Sequence, residues 1–259
     1  MFSASDAYER FMGRWSRRLA AAFVTFADVR PGDVVLDAGC GTGSLASAVL
    51  AVAPARVVGI DPSSAYIQAA RAHVTDSRAT FEEADVRQLR FADASFDKAL
   101  SLLVLNFVPT PGQALDEMRR VTRPGGVVAA AVWDYGDGME MLRAFWDEVV
   151  ALDPSSDSQD ERHMPLSRSG ELTKLWGDHD LAGVEETPLV IPLAFSSFDD
   201  FWSPFLGGQG PAGALVASLG DDRREVLRER LRARLATAAD GSLRLLARAW
   251  AVKGVVSRR

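Results

Sequence analysis

Asp37, Gly39, Gly41 and Gly43 fall within the stretch Asp37-Ala38-Gly39-Cys40-Gly41-Thr42-Gly43, and Asp61 ends the next apolar run, Val57-Val58-Gly59-Ile60-Asp61. Glycines at this spacing let the backbone turn sharply and approach a ligand closely, because no Cβ stands in the way. Asp61 is placed to accept hydrogen bonds from both hydroxyls of a ribose. Asp37, two residues before the first glycine, would repel a pyrophosphate, yet it suits a ligand carrying an ammonium group, met directly or through water. The spacing G-x-G-x-G also departs from the G-x-G-x-x-G of dinucleotide binders, in which a helix N-terminus faces a pyrophosphate. Nicotinamide cofactors are therefore disfavoured.

These residues require a particular scaffold. The runs beginning at Val34 and Val57 read as short buried strands, and Ser44 to Ala53 between them reads as a helix, which together make a βαβ unit. In an open parallel sheet the turn after the first strand lies at the carboxyl edge, where a crevice for a nucleotide-like ligand forms.

The glycine run resembles the first motif of the class I S-adenosylmethionine-dependent methyltransferases, and further motifs follow in that family's order. Phe81-Glu82-Glu83-Ala84-Asp85-Val86 is similar to the end of the third strand, and Ser95-Phe96-Asp97-Lys98-Ala99-Leu100-Ser101 to the fourth. Ala114 to Arg123, followed by Pro124-Gly125-Gly126-Val127, resembles the helix, glycine turn and fifth strand of the ubiquinone/menaquinone-type, methyltransferase type 11 branch. The resemblance covers roughly residues 30 to 135. It implies an α/β, Rossmann-like fold with a seven-stranded, mostly parallel sheet, helices on both faces, an N-terminal helical lid and an inserted helical cap. It implies S-adenosylmethionine as cofactor and S-adenosylhomocysteine as product.

Carried onto this chain, the family's cofactor contacts fall on Asp37, Gly39, Cys40, Gly41, Thr42 and Gly43, then on Asp61, Pro62 and Ser63 after the second strand. Asp85 would take the adenine amino group, the Val86 amide a ring nitrogen, and Ser101 and Leu102 would complete the site at the end of the fourth strand. Arg14, in the segment that precedes the first strand, is expected to pair with the methionyl carboxylate. The implied activity is methyl transfer to a small, partly apolar molecule by in-line displacement. The alternatives are a methyltransferase acting on a protein or RNA and a cofactor-binding protein without turnover. A general base is needed only for a nucleophile protonated at neutral pH, and His163 is the candidate.

The expected organisation is a single methyltransferase domain over residues 1–259, with a helical lid over 1–30, a cofactor-binding core over 31–135, and cap insertions with the remaining strands over 136–259. In the lid, Phe11, Trp15, Leu19, Ala22, Phe23 and Phe26 recur at near-helical spacing after Tyr8, and Gly13 reads as a helix breaker before Arg14-Trp15. Removing Met1 to Leu19 should then leave a folded protein. Beyond the core, Met139 to Leu152 reads as a helix, Asp153 to Arg162 as a mobile polar loop, Val184 to Phe195 as the sixth strand, Asp221 to Ala239 as a charged helix and Leu243 to Val252 as the last strand. Trp133, Tyr135, Phe145, Trp146, Phe201, Trp202 and Phe205 supply aromatic surface for an apolar substrate, or else the core of the cap itself.

Each of these features has a plainer reading. The glycine run alone is a tight turn, Asp61 a helix cap before Pro62 and Ser63, Asp85 a solvated loop acid, and Cys40 a small packing residue. A net charge of −6 disfavours a general nucleic-acid binder. No His, Cys and Glu spacing reads as a metal site. One cysteine, and no uninterrupted apolar stretch to act as a signal or a span, point to a cytoplasmic protein of undefined oligomeric state with a small-molecule substrate.

Overall fold

Apart from Asp37, every residue of Val34–Ala38 is apolar, and a strand of that kind needs cover on both edges and both faces. In the computed structural model, which describes residues 9–257, this strand, β1 (Val34–Ala38), pairs in parallel with β2 (Arg56–Asp61) and with β4 (Phe96–Leu102). β3 (Ala79–Glu83) pairs in parallel with β2, and β5 (Thr122–Trp133) with β4. With β6 (Leu181–Phe195) and β7 (Leu243–Val256) the order is β3-β2-β1-β4-β5-β7-β6, a seven-stranded mixed sheet. Helix α1 (Arg14–Phe26) precedes β1, while α2 (Ser44–Leu50), α3 (Ser64–His73) and α4 (Pro111–Val121) connect the parallel strands. The chain winds outward from β1 to β3 and returns on the other side of β1 as β4. Winding reverses there, and in open α/β sheets the ligand crevice lies at such a point, beyond the carboxyl ends of the strands.

Two compact units interleave along the chain. One holds Ser16–Val132, Leu166–Leu189 and the chain from Ala249 onward; the other holds the chain up to Trp15, Trp133–Pro165 and Val190–Arg248. The first contains the glycine loop and α6 (Glu171–Asp178), whose Trp176 indole donates to the Val128 carbonyl at 3.0 Å. The second contains α5 (Glu140–Leu152), α7 (Phe198–Trp202), α8 (Gly210–Ser218) and α9 (Asp221–Arg234). Its aromatic residues pack on one another. The Phe145 and Phe205 rings stack at 4.7 Å, Phe11 and Phe201 meet Phe205 at 5.3 and 5.5 Å, and Trp133, Tyr135, Trp146 and Trp202 are buried. The aromatic supply makes this unit's own core.

Three local expectations change. Gly13 does not break the N-terminal helix; it ends a π-helical turn, Glu9–Gly13, that runs straight into α1. A Cβ there would meet the Glu9 carboxylate, the far end of a flexible side chain. Trp15, Leu19, Ala20 and Phe23 are all 1% exposed or less, so one face of this helix is packed away from solvent. Tyr8 lies outside the described residues. The charged helix α9 ends at Arg234, short of Ala239, and a turn closed by Ala238 and Ser242 follows it.

The polar stretch 153–162 is also ordered, as two short 3-10 turns, Pro154–Gln159 and Glu161–His163. Two of its acids, Asp160 and Glu161, point inward. Although burial alone would raise Asp160, the Arg143 and Arg162 guanidiniums that bond it hold its carboxyl below the ordinary range. Glu161, 5% exposed, accepts from the Trp146 indole, yet burial and the neighbouring Asp160 charge push it up to about 7. Among the described residues no helix is long and apolar enough to cross a membrane, and no group of three or more His, Cys, Asp or Glu side chains is placed to hold a metal ion.

Glu161 makes stability depend on pH. Its folded pKa lies above its unfolded value, so its contribution is complete below about pH 4.5 and is lost as pH rises through about 7. Glu161→Gln keeps the acceptor for Trp146 and removes the titration. Urea denaturation from pH 4.5 to 8 should show the wild type losing up to roughly 3 kcal/mol relative to the variant, and parallel curves would contradict this.

Candidate functional site

The site begins where β1 ends. Gly39, Gly41 and Gly43 all take positive φ, at 83°, 51° and 93°. Space as well as conformation demands glycine at two of them: a Cβ at Gly39 would lie 2.5 Å from the Val104 side chain, and one at Gly43 would lie 2.8 Å from Val74. The Gly39 and Cys40 amides both donate to the Ile60 carbonyl at 2.8 Å, which draws the loop over the end of β2. Cys40 is buried, and desolvation with the Asp37 and Asp61 charges pushes its thiol well above the ordinary range. It is therefore an inert packing residue as a thiol, and only its backbone faces the loop's chemistry.

Asp61 organises the loop. Its Oδ2 accepts from the Gly41 amide at 3.1 Å and its Oδ1 from the Ser63 amide at 2.9 Å. Burial raises its pKa, partly offset by those two bonds. Each oxygen keeps a second lone pair, so the carboxylate can still receive a pair of hydroxyls. The Ser63 hydroxyl caps α3 by accepting from the Tyr66 amide, which leaves Pro62 exposed between the two residues.

Asp37 differs in kind. It is fully buried on β1 between Gly59 of β2 and Leu100 of β4, and neither of its oxygens has a hydrogen-bond partner of normal geometry. Desolvation pushes its pKa up to about 7; the Ala46 amide compensates in part and the Asp61 charge adds to the rise. A buried carboxylate left this way is costly unless a cation or a set of donors meets it. The chemistry that suits it is an ammonium group, so the donor set of the loop fits a ligand with a ribose and an amino-acid end.

The remaining expected contacts lie on the same unit. Asp85 is half-exposed and bonded by Arg87, whose guanidinium lowers its pKa. Val86 and Thr42 are buried, as is Leu102, and Ser101 donates its hydroxyl to the Ala38 carbonyl at 2.9 Å, tying β4 to β1. Two expected residues, Arg14 and His163, belong to the other compact unit. Arg14 holds Asp200 through Nη1 at 3.0 and 3.2 Å, with its guanidinium 4.2 Å from the Trp15 ring centre and 4.8 Å from that of Phe195, while its Nε is buried without a partner. His163 stands on an exposed turn against Asp157 at 3.3 Å. One polar side chain passed over in the sequence belongs with the site: Asn106, buried in the segment after β4 that packs on Gly39. Its only signal was a lone amide within the apolar run Leu102–Val108.

Known proteins resemble this chain in sequence and fold. Residues 36–130 match the family model described as methyltransferase domain. A 37.1 kDa protein in transposon Tn4556 of Streptomyces fradiae is 39% identical over 145 residues, covering 52% of this chain and 42% of that protein. The ubiquinone/menaquinone biosynthesis C-methyltransferase UbiE of Bdellovibrio bacteriovorus is 39% identical over 117 residues, covering 44% of this chain and 48% of that protein. The chain thus spans about half the length, or less, of these two curated relatives. The structure of Haemonchus contortus phosphoethanolamine N-methyltransferase 2, in complex with phosphomonomethylethanolamine and S-adenosylhomocysteine, has the same fold, with a TM-score of 0.61 at 18% identity over 99% of this chain and 59% of that one. Residues 36–130 are thus similar to a methyltransferase domain, and the chain has the fold of the class I S-adenosylmethionine-dependent methyltransferases, a family whose cofactor is S-adenosylmethionine.

The Asp37 environment ties ligand binding to pH. With the free carboxyl near pH 7, an ammonium that favours its ionised form releases a proton on binding. Affinity for S-adenosylhomocysteine should climb from pH 5 to 7, by at most about tenfold per unit, and level off above. Asp37→Asn should bind more weakly and flatten the profile; isothermal titration at several pH values checks both.

Proposed function

We propose that this protein transfers the methyl group of S-adenosylmethionine to a small, partly apolar acceptor. The observation that carries the reading is the pairing of a buried carboxylate, Asp37 of β1, with the ribose-ready Asp61 at the end of β2, on either side of one glycine loop at the point where the sheet reverses its winding. The cofactor supplies a sulfonium, which holds a methyl group on a good leaving group. The chain's task is then position. The glycine loop and Asp61 orient the nucleoside, Asp37 fixes the charged end, and alignment of an acceptor with the methyl group gives catalysis by proximity. His163, exposed and engaged by Asp157, is assigned no step.

Three observations support a small acceptor. Phe107 is 58% exposed on the segment that follows β4, an apolar surface next to the cofactor loop's neighbours. The net charge of −6 opposes attraction of a polyanion. The Bdellovibrio relative is named for ubiquinone/menaquinone biosynthesis, and the Haemonchus enzyme was solved with phosphomonomethylethanolamine.

Binding and turnover are tested separately. At a hundredfold excess over Kd, S-adenosylhomocysteine should stabilise the protein by about 2.7 kcal/mol, or roughly 5–10 °C in Tm for a chain of this size. NAD should leave Tm unchanged. Incubation of the enzyme with methyl-labelled cofactor and a cell extract should place the label in the small-molecule fraction. Label confined to precipitable protein or RNA would overturn the substrate class, and a Tm shift with NAD alone would overturn the cofactor.

A further inference from the structure

Asn106 lies on the short 3-10 turn Leu105–Phe107 that follows β4. Its neighbours place it. Ser101 ties the end of β4 to Ala38 of β1, the Val104 side chain covers Gly39, and the Phe107 amide donates back to the Val104 carbonyl at 2.8 Å. Asn106 therefore stands in the segment laid directly against the glycine loop, within the same compact unit.

Its side chain is 5% exposed, and neither Oδ1 nor Nδ2 has a hydrogen-bond partner. Burying a donor and an acceptor unsatisfied is costly, and an apolar residue like Leu102 or Leu105 beside it would avoid the cost. Leu103, three residues earlier, holds φ at 65°, a conformation that strains a residue with a Cβ. Orphaned polar groups and backbone strain in one segment mark a place shaped for a ligand.

The chemistry of the amide says which part of the ligand. A carboxamide offers a donor and an acceptor side by side, and the counterpart with an acceptor and a donor side by side is an amino-acid zwitterion. Asp61 answers the ribose. The ligand's carboxylate was expected on Arg14, but that guanidinium engages Asp200 through Nη1 within the other compact unit. We infer that Asn106 holds the amino-acid end of the cofactor, Nδ2 donating to its carboxylate and Oδ1 accepting from the ammonium it shares with Asp37. This rests on the S-adenosylmethionine reading of the site.

The test compares two ligands. S-adenosylhomocysteine carries the amino-acid end, whereas 5′-methylthioadenosine keeps the nucleoside and the thioether without it. In isothermal titration, Asn106→Ala should weaken S-adenosylhomocysteine by about tenfold to a hundredfold, the effect of losing bonds to charged groups, and leave 5′-methylthioadenosine within about twofold. Asn106→Asp, nearly the same shape but set against the carboxylate, should weaken S-adenosylhomocysteine at least as much and again spare the shorter ligand. Circular dichroism melting should show both variants folded, with the alanine variant no less stable than the wild type. Equal losses for both ligands, or none for either, would overturn the assignment while leaving the cofactor reading intact. A wild-type protein that binds neither ligand would overturn both.

Discussion

A buried carboxylate that the fold satisfies only in part is the constraint on which the site depends. Asp37 sits in the middle of a strand flanked on both sides, where solvent does not reach and the backbone groups around it are spent on the sheet ladder. Its desolvation is answered only in part by the Ala46 amide, and the Asp61 charge makes matters worse. Alanine or valine would pack there at less cost. The arrangement makes sense when a cationic group completes it, because a charge that is expensive alone becomes a strong and selective contact once paired in a low-dielectric setting.

The rest of the unit keeps that carboxylate in place and gives its ligand a second handle. Asp61 pins the glycine loop through the Gly41 and Ser63 amides, so the same side chain that can receive a ribose also shapes the loop. Ser101 binds the end of β4 to the end of β1, and Val104 rests on Gly39, which leaves no room for a larger residue. Strand order places these ends together: β4 returns beside β1 after the chain has wound away to β3. Helix α1 contributes a buried face, with Leu19, Ala20 and Phe23 fully enclosed.

The strands and the loop could be read from sequence because their signals are local. Apolar runs such as Val34 to Leu36 and Val57 to Ile60 end at an acid, and glycines stand where the backbone needs positive φ. What escaped was decided by distant partners. Arg14 looked free to meet a ligand, but its carboxylate, Asp200, lies 186 positions away. Asp160 and Glu161 had the polarity of a mobile loop until Arg143 and Trp146, 17 and 15 positions earlier on a helix, drew them inward. The aromatic residues after Trp133 gave no sign of whether they would meet a substrate or one another, and packing settled it in favour of a core. Asn106 was hidden by the apolar run around it, since a single amide has no periodicity to betray it.

The central claim is that Asp37 is held in a desolvated state that a cationic ligand relieves. The direct measurement is a carbon-13 NMR titration of the Asp37 side-chain carboxyl, assigned by comparison with Asp37→Asn, in the free protein and with saturating S-adenosylhomocysteine. The account predicts a midpoint near pH 7 in the free protein and a marked fall on binding, because the ammonium favours the ionised form. A midpoint near the ordinary aspartate value of about 4 in both states would contradict it.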